Sequence, residues 1–313
     1  MKNLSIIILF FISFVIVIAV YLVNLNNKNN SLNSTKLDID FLLTNPIPTK
    51  KIQKSTINKK YIEGILKNNE VAGIDYSVVL IDLKSNDSFL LNENKIYASA
   101  SLYKLWLMAY IFEKINSGDV SYNLVLSKPV SYLNTKFSIP PEYTLRSEGQ
   151  VEYSIKDAIY KMITESDNES ALLLTDYFGT REVENYMKNN GYSNTSFGLD
   201  GNLPNTNALE VSKFFKDLYL GKIVNKNYSD DMLQILKDQT FNHKAAKYIP
   251  STIDFAHKTG ELQNFSHDAG IIFLQTNPYV IVIMTSTNQD FSLANEFIAK
   301  VSKDIFTYFN SRE

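Results

Sequence analysis

The chain has 313 residues, 45% hydrophobic and 20% charged, which is enough apolar material for one large domain or two modest ones. Its formal net charge of −2 gives no electrostatic reason to expect a nucleic-acid partner. The absence of cysteine excludes thiol catalysis, thiolate metal sites, disulfides and a lipid-modified cysteine.

The N-terminal segment predicts a membrane anchor. Residues 4–23 are almost all Ile, Leu, Phe and Val. About 20 such residues in a helix match a bilayer core of roughly 30 Å. Ala19 is the only trace of a small-residue cleavage site, so a retained anchor is favoured over a removed signal peptide. Residues 24–55, rich in Asn, Ser, Thr, Lys and Pro, are predicted to be a flexible linker.

The body of the chain, 56–313, begins with a helical pattern and a strand hairpin. Apolar spacing predicts a helix over 56–68, strands over 74–83 and 89–91, and a helix that ends near residue 115. Residues 120–153, with three prolines, are expected to be irregular.

The second half is predicted to be helical first and then strand-rich. Helices are expected at 154–163, 171–178, 181–190, 209–220 and 230–236, strands at 255–260, 269–274 and 279–285, and a closing helix at 293–309. Because strands lie at both ends and helices between them, we expect an α/β (α+β) fold. Its antiparallel sheet would be built from both chain ends and flanked by helices, with an all-α lobe inserted over about 101–245. A functional site is expected between the two lobes.

Ser101 and Lys104 open the apolar helix and share one of its faces, since they are three residues apart. Such a serine can act as a nucleophile if the neighbouring lysine loses its proton, which requires burial or a nearby cation. Taken alone, the pair is more typical of a helix-capping serine followed by a solvated lysine.

Two further motifs favour the chemical interpretation. Ser166-Asp167-Asn168 lies between two predicted helices, and Lys258-Thr259-Gly260 lies on a predicted strand. Ser-x-x-Lys, Ser-Asp-Asn and Lys-Thr-Gly, in this order, are the signature of class A β-lactamases and penicillin-binding proteins. Over residues 56–313 the chain therefore resembles the class A β-lactamase-like serine hydrolases of the serine β-lactamase and DD-peptidase superfamily.

The resemblance implies catalytic roles for three residues. Ser101 would attack an amide carbonyl to form an acyl-enzyme, and Lys104 would take its proton. Ser166 would pass a proton to the leaving nitrogen. A lowered pKa for Lys104 is expected to come from the cationic Lys258.

The resemblance also implies substrate-binding roles. Asn168 would hold the substrate amide or position Lys104, while Lys258 and Thr259 would bind a substrate carboxylate. Gly260 would let the substrate lie along the strand edge. The backbone N–H of Glu261, with that of Ser101, would form the oxyanion hole.

The chain departs from the family in the loop at 197–207. Efficient class A β-lactamases carry a glutamate there that activates the deacylating water, whereas Asp200 is the only carboxylate in this loop. Glu210 follows, but as an acid in the first turn of a helix. No arginine lies near residues 258–270 to assist with a carboxylate. We expect slow deacylation, with Asp200 as the candidate base.

Three functions remain open: a β-lactamase-type hydrolase, a DD-peptidase acting on peptidoglycan stem peptides, and a weakly catalytic binding module of the cell envelope. The expected partner is a small β-lactam or a peptidoglycan-derived peptide. No cofactor or metal is expected, and His243, His257 and His267 lack metal-ligand spacing. His257 and His267 are expected to be packing groups. Because this chemistry suits the envelope, the catalytic domain is expected outside the cytoplasm, held at the cell membrane by residues 4–23.

Overall fold

The computed structural model describes residues 57–140, 146–288 and 290–312. The anchor predicted at 4–23 and the linker predicted at 24–55 lie outside these residues. In the described part of the chain, no helix combines the length and the apolar character needed to cross a bilayer.

Nine strands are present in the described residues. They are β1 (Ile74–Asp82), β2 (Ser88–Leu91), β3 (Tyr97–Ala98), β4 (Val125–Pro129), β5 (Gln150–Ser154), β6 (Asn205–Thr206), β7 (Phe255–Leu262), β8 (Phe265–Ile272) and β9 (Tyr279–Thr287). Five of them form the main antiparallel sheet in the order β2-β1-β9-β8-β7. The pairing of β1 with β9 confirms that the sheet is built from both ends of the domain, and β7 lies at its edge.

The described helices cover the sheet or form the lobe inserted between its strands. They are α1 (Lys59–Asn69), α2 (Lys104–Asn116), α3 (Val130–Lys136), α4 (Ile155–Thr164), α5 (Asn168–Phe178), α6 (Thr180–Asn189), α7 (Ala208–Tyr219), α8 (Lys226–Lys237) and α9 (Phe291–Asn310). Two short 3₁₀-helices, Ala100–Tyr103 and Leu199–Gly201, complete the set. The predicted helices are thus found, most with ends shifted by a few residues.

Alternating side chains of the central strands place one core on each face of the sheet. Val78 and Leu80 pack with Phe297 of α9 in one apolar cluster, while Val79 packs with Leu105 of α2 in the other. This is the two-residue period of a strand, with both faces buried. The second cluster is the core that supports the start of α2.

The expectation of an irregular segment at 120–153, within an all-α lobe, is wrong. Strands β4 and β5 pair with each other there, and α3 lies between them. The strand pattern in the sequence is weak here because each strand buries only one side chain, Leu126 in β4 and Val151 in β5. Pro129 is tolerated because β4 pairs only with β5, so it is an edge strand.

Candidate active site

Ser101 lies in a tight turn that leads directly into α2. The turn is the 3₁₀-helix Ala100–Tyr103, and α2 begins at Lys104. In a 3₁₀-helix, residues i and i+3 lie on the same side, so the expected shared face is kept although the first turn is not α-helical. Ala100 has φ 47°, a left-handed conformation that is strained for a residue with a side chain. Among the described residues, Ser101 is half-buried and its hydroxyl has no hydrogen-bond partner.

The Lys104 side chain is fully buried and points to the Ser166-Asp167-Asn168 turn. Its Nζ donates to the Ser166 carbonyl at 2.6 Å and to Asn168 Oδ1 at 2.8 Å, and lies 3.3 Å from Ser166 Oγ. The turn is fixed by Asp167, which caps α5 by accepting a hydrogen bond from Ser170 N at 2.7 Å. Asp167 is therefore structural, and Asn168 contacts Lys104.

Lys258 contacts the same hydroxyl. It lies on β7, is fully buried, and donates from Nζ to Ser166 Oγ at 3.0 Å and to the Thr259 carbonyl at 3.1 Å. The Ser166 hydroxyl thus lies within hydrogen-bond distance of two lysine amines. A hydroxyl in that position both accepts and donates, so it can relay a proton between them. Three segments remote in sequence meet at this hydroxyl.

Burial sets the protonation of both lysines. Desolvation lowers the pKa of Lys104 to about 7, and the nearby Asp167 charge offsets part of this effect. Desolvation also lowers the pKa of Lys258 well below its ordinary value, and the charges of Lys104 and Lys244 lower it further. The expected lowering for Lys104 is therefore present, but its main cause is burial rather than the charge of Lys258.

Gly260 allows β7 to approach the Ser101 turn. A Cβ at position 260 would lie 3.1 Å from the Ser99 carbonyl oxygen, 3.2 Å from the Ala100 Cβ and 3.4 Å from Ser101 N. A larger residue would push the strand away from the turn. Because β7 is an edge strand, the side of its backbone that faces away from β8 has no partner strand in the sheet. The backbone around Gly260 and the N–H of Ser101 therefore lie close together.

Buried polar and charged side chains link β7 to β8 and to Lys244. His257 Nδ1 lies 2.8 Å from Asp268 Oδ1, and the other oxygen of Asp268 accepts from Ala245 N at 3.0 Å. Lys244, also fully buried, donates to the Gly260 carbonyl at 2.9 Å. Lys244 is a site residue that sequence reasoning missed, because nothing in its neighbourhood distinguishes it from a surface lysine.

The two histidines expected to be packing groups are buried and hydrogen-bonded. His267 Nε2 donates to the Ala98 carbonyl at 2.8 Å, and its Nδ1 accepts from Thr285 N at 3.2 Å. Burial lowers the pKa of His267 to about 4, so it is neutral at physiological pH. In the part of the chain that the structure describes, no three His, Cys, Asp or Glu side chains are grouped so as to hold a metal ion.

The loop at 197–207 is anchored by two buried glutamates outside it. Glu184 of α6 accepts from Phe197 N at 2.6 Å, and Glu210 of α7 accepts from Asn194 N at 2.8 Å. Glu210 lies in the first turn of its helix, as predicted, and serves to hold the chain that enters this loop. Asp200 lies in the 3₁₀-helix Leu199–Gly201, and its side chain is outside what the structure describes.

Several solved structures share this fold. A beta-lactamase from Sphaerobacter thermophilus is 18% identical, with a TM-score of 0.71 over 82% of this chain and 99% of its own. A PBP-A variant solved as an acyl-enzyme complex with penicillin G is 19% identical, with a TM-score of 0.67 over 81% and 96%. The TLA-3 extended-spectrum beta-lactamase is 20% identical, with a TM-score of 0.70 over 80% and 99%.

A family profile matches most of the chain, whereas none of the curated proteins matches it. Residues 58–309 match the profile of the beta-lactamase enzyme family, a range that includes all three motifs and every strand of the main sheet. The chain belongs to the beta-lactamase enzyme family.

Proposed function

We propose that the protein is a serine hydrolase that forms an acyl-enzyme on Ser101 with a β-lactam or a related amide and deacylates slowly. The observation that carries this proposal is the position of the Ser166 hydroxyl, 3.3 Å from Lys104 Nζ and 3.0 Å from Lys258 Nζ. It brings together one residue from each of the three motifs. The family membership supports the reaction class, and the acyl-enzyme form of the PBP-A variant supports the intermediate.

In the proposed acylation, the neutral Lys104 amine takes the Ser101 hydroxyl proton as Oγ bonds to the amide carbon. The carbonyl oxygen becomes an oxyanion, held by the N–H groups of Ser101 and Glu261. Each donor is worth on the order of 3 kcal/mol. The carbon–nitrogen bond then breaks, and the Ser166 hydroxyl delivers a proton to the leaving nitrogen. The protonated Lys104 then returns that one proton to Ser166 Oγ, 3.3 Å away, while Lys258 stays hydrogen-bonded to the same oxygen.

Deacylation is proposed to be slow because the loop at 197–207 carries no glutamate to activate water. Loss of a general base lowers the rate of a hydrolytic step by about 10²- to 10⁴-fold. Glu184 and Glu210 bind the backbone of this region, so neither is available as a substitute. Asp200 is the remaining carboxylate of the loop and the proposed base for any residual turnover.

The decisive experiment is labelling with a fluorescent penicillin followed by intact mass measurement and peptide mapping. We expect a stoichiometric, long-lived adduct on Ser101, absent in Ser101→Ala and retained in Ser117→Ala, a serine just beyond the other end of α2. The absence of an adduct in the wild type would support the binding-module alternative. Rapid steady-state hydrolysis of penicillin or nitrocefin would overturn slow deacylation, and its loss in Asp200→Ala would identify the base.

DD-peptidase activity is the second candidate, favoured by the edge of β7 beside Gly260, which pairs with no other strand of the main sheet. An extended peptide can add to such an edge through backbone hydrogen bonds. Release of D-Ala from a peptide ending in D-Ala-D-Ala, at a rate above nitrocefin hydrolysis, would support it.

We further propose that residues 4–23 anchor the domain at the outer side of the cell membrane. Protease treatment of intact cells, with a cytoplasmic marker as control, tests that orientation.

A further inference from the structure

Glu261 places a negative charge directly after the Lys258-Thr259-Gly260 motif. Residues two apart on a strand point to the same side, so Thr259 and Glu261 share one face of β7. Thr259 is buried, whereas 45% of the Glu261 side chain is exposed. The Glu261 carboxylate therefore lies at the solvent-exposed end of one face of β7. The same face is expected to bind the carboxylate of a substrate.

One oxygen of Glu261 gathers three donors. Oε1 lies 3.0 Å from Lys244 Nζ, 3.1 Å from His243 Nε2 and 3.2 Å from Asn295 Nδ2. Burial alone raises the pKa of the Glu261 carboxyl, but Lys244 and His243 bring it below its ordinary value. The side chain is thus a fixed anion rather than a mobile surface group.

Glu261 also covers the Lys244 ammonium. The Lys244 side chain has no exposed surface, and its other acceptors are the carbonyl oxygens of Gly260 at 2.9 Å and His267 at 3.3 Å. Solvent therefore reaches the carboxylate of this pair and not the ammonium. A substrate anion would have to displace Glu261 before it could use the charge of Lys244.

We infer that Glu261 is a specificity-determining residue that disfavours acyl donors with a carboxylate next to the scissile amide and favours donors that are neutral at that position. The inference rests on the proposed acylation of Ser101 and narrows its substrate class. It weighs against the DD-peptidase alternative, because a D-Ala-D-Ala terminus carries such a carboxylate. A substrate carboxylate would approach the Glu261 anion, whose cationic partner Lys244 is already paired with it. The repulsion between the two carboxylates is weakly screened at a partly buried site. A neutral ester or amide does not meet this repulsion.

Penicillin G and its methyl ester test the inference, because they share the ring and the scissile bond and differ only in this charge. The measured quantity is the ratio of the acid's second-order acylation rate constant to the ester's, from time-resolved mass spectrometry. We expect a ratio of one or less in the wild type. In Glu261→Gln, which keeps the size and an acceptor for Lys244, the ratio should rise at least about tenfold.

The control is Glu296→Gln on α9, which removes the same charge from a carboxylate bound to Lys247 at 2.7 Å and leaves Lys244 untouched. It should not change the ratio. General damage to the oxyanion hole by Glu261→Gln would slow both substrates and also leave the ratio unchanged, which would overturn the inference. A wild-type preference for the acid above about tenfold would overturn it as well. Failure of both compounds to label the wild type would instead remove the proposed function on which it rests.

Discussion

Replacement of Lys104 by methionine tests whether this lysine is neutral in the folded protein. Lowering its pKa from 10.5 to about 7 corresponds to about 5 kcal/mol, at about 1.4 kcal/mol per pKa unit. Lys104 is fully buried, so solvent screening does not reduce this figure greatly. Between pH 7 and 10.5 the unfolded chain binds a proton at Lys104 that the folded chain does not, and stability therefore rises with pH in this interval.

The expected result is a pH-dependent difference between the two proteins. In urea unfolding curves the wild type should gain about 2–3 kcal/mol relative to Lys104→Met between pH 6 and pH 9. The absolute difference at one pH is less informative, because the methionine also leaves the Ser166 carbonyl and Asn168 Oδ1 without their donor. Lys156→Met, at an exposed position of α4, is the control and should show no comparable gain.

A pH-independent difference would refute the reasoning. It would mean that Lys104 keeps its proton in the folded state, held by its oxygen partners and by the Asp167 charge. Lys104 could not then accept the Ser101 proton at neutral pH, and another group would have to be the base.

Three further predictions follow from the site and the loop beside it. Acylation of Ser101 by penicillin should accelerate about tenfold per pH unit below pH 7 and level off above it, because only neutral Lys104 accepts a proton; a stopped-flow pH profile checks this. Gly260→Ala should slow acylation about tenfold or more by displacing β7 from the Ser101 turn, whereas Gly64→Ala, with open space around it, should not alter the rate. Glu210→Gln should lower the free energy of unfolding by about 1–3 kcal/mol in urea titrations, since it weakens the buried acceptor that holds the loop.

The sequence predicted most reliably what is encoded locally. The shared face of Ser101 and Lys104 followed from their spacing, and the strands at both ends of the domain indicated one sheet built from both ends. The start of α4 was also predicted, since the helix expected from residue 154 begins at Ile155, where Ser154 Oγ accepts from Asp157 N at 3.0 Å. For the serine–lysine pair and the start of α4, the pattern and its consequence lie within a few residues of each other, whereas the sheet was inferred from the order of strands and helices along the chain.

The remaining features depend on packing between remote segments. Lys244 becomes part of the site only through its hydrogen bond to the Gly260 carbonyl of β7, and no local sequence pattern encodes that contact. The low pKa of Lys104 was anticipated with the wrong main cause, since burial of a side chain depends on everything packed around it. Strands β4 and β5 were missed because a two-stranded pair outside the main sheet buries too few side chains to leave a clear period.

The pairing of β1 with β9 has a consequence for how the protein is made. Val79 lies opposite Val282, so roughly 200 residues must leave the ribosome before the first long strand finds its partner. Until then the hairpin of β1 and β2 exposes an apolar edge on which other chains can assemble. Truncation before Tyr279, which removes β9, should therefore yield aggregate rather than a partly folded domain.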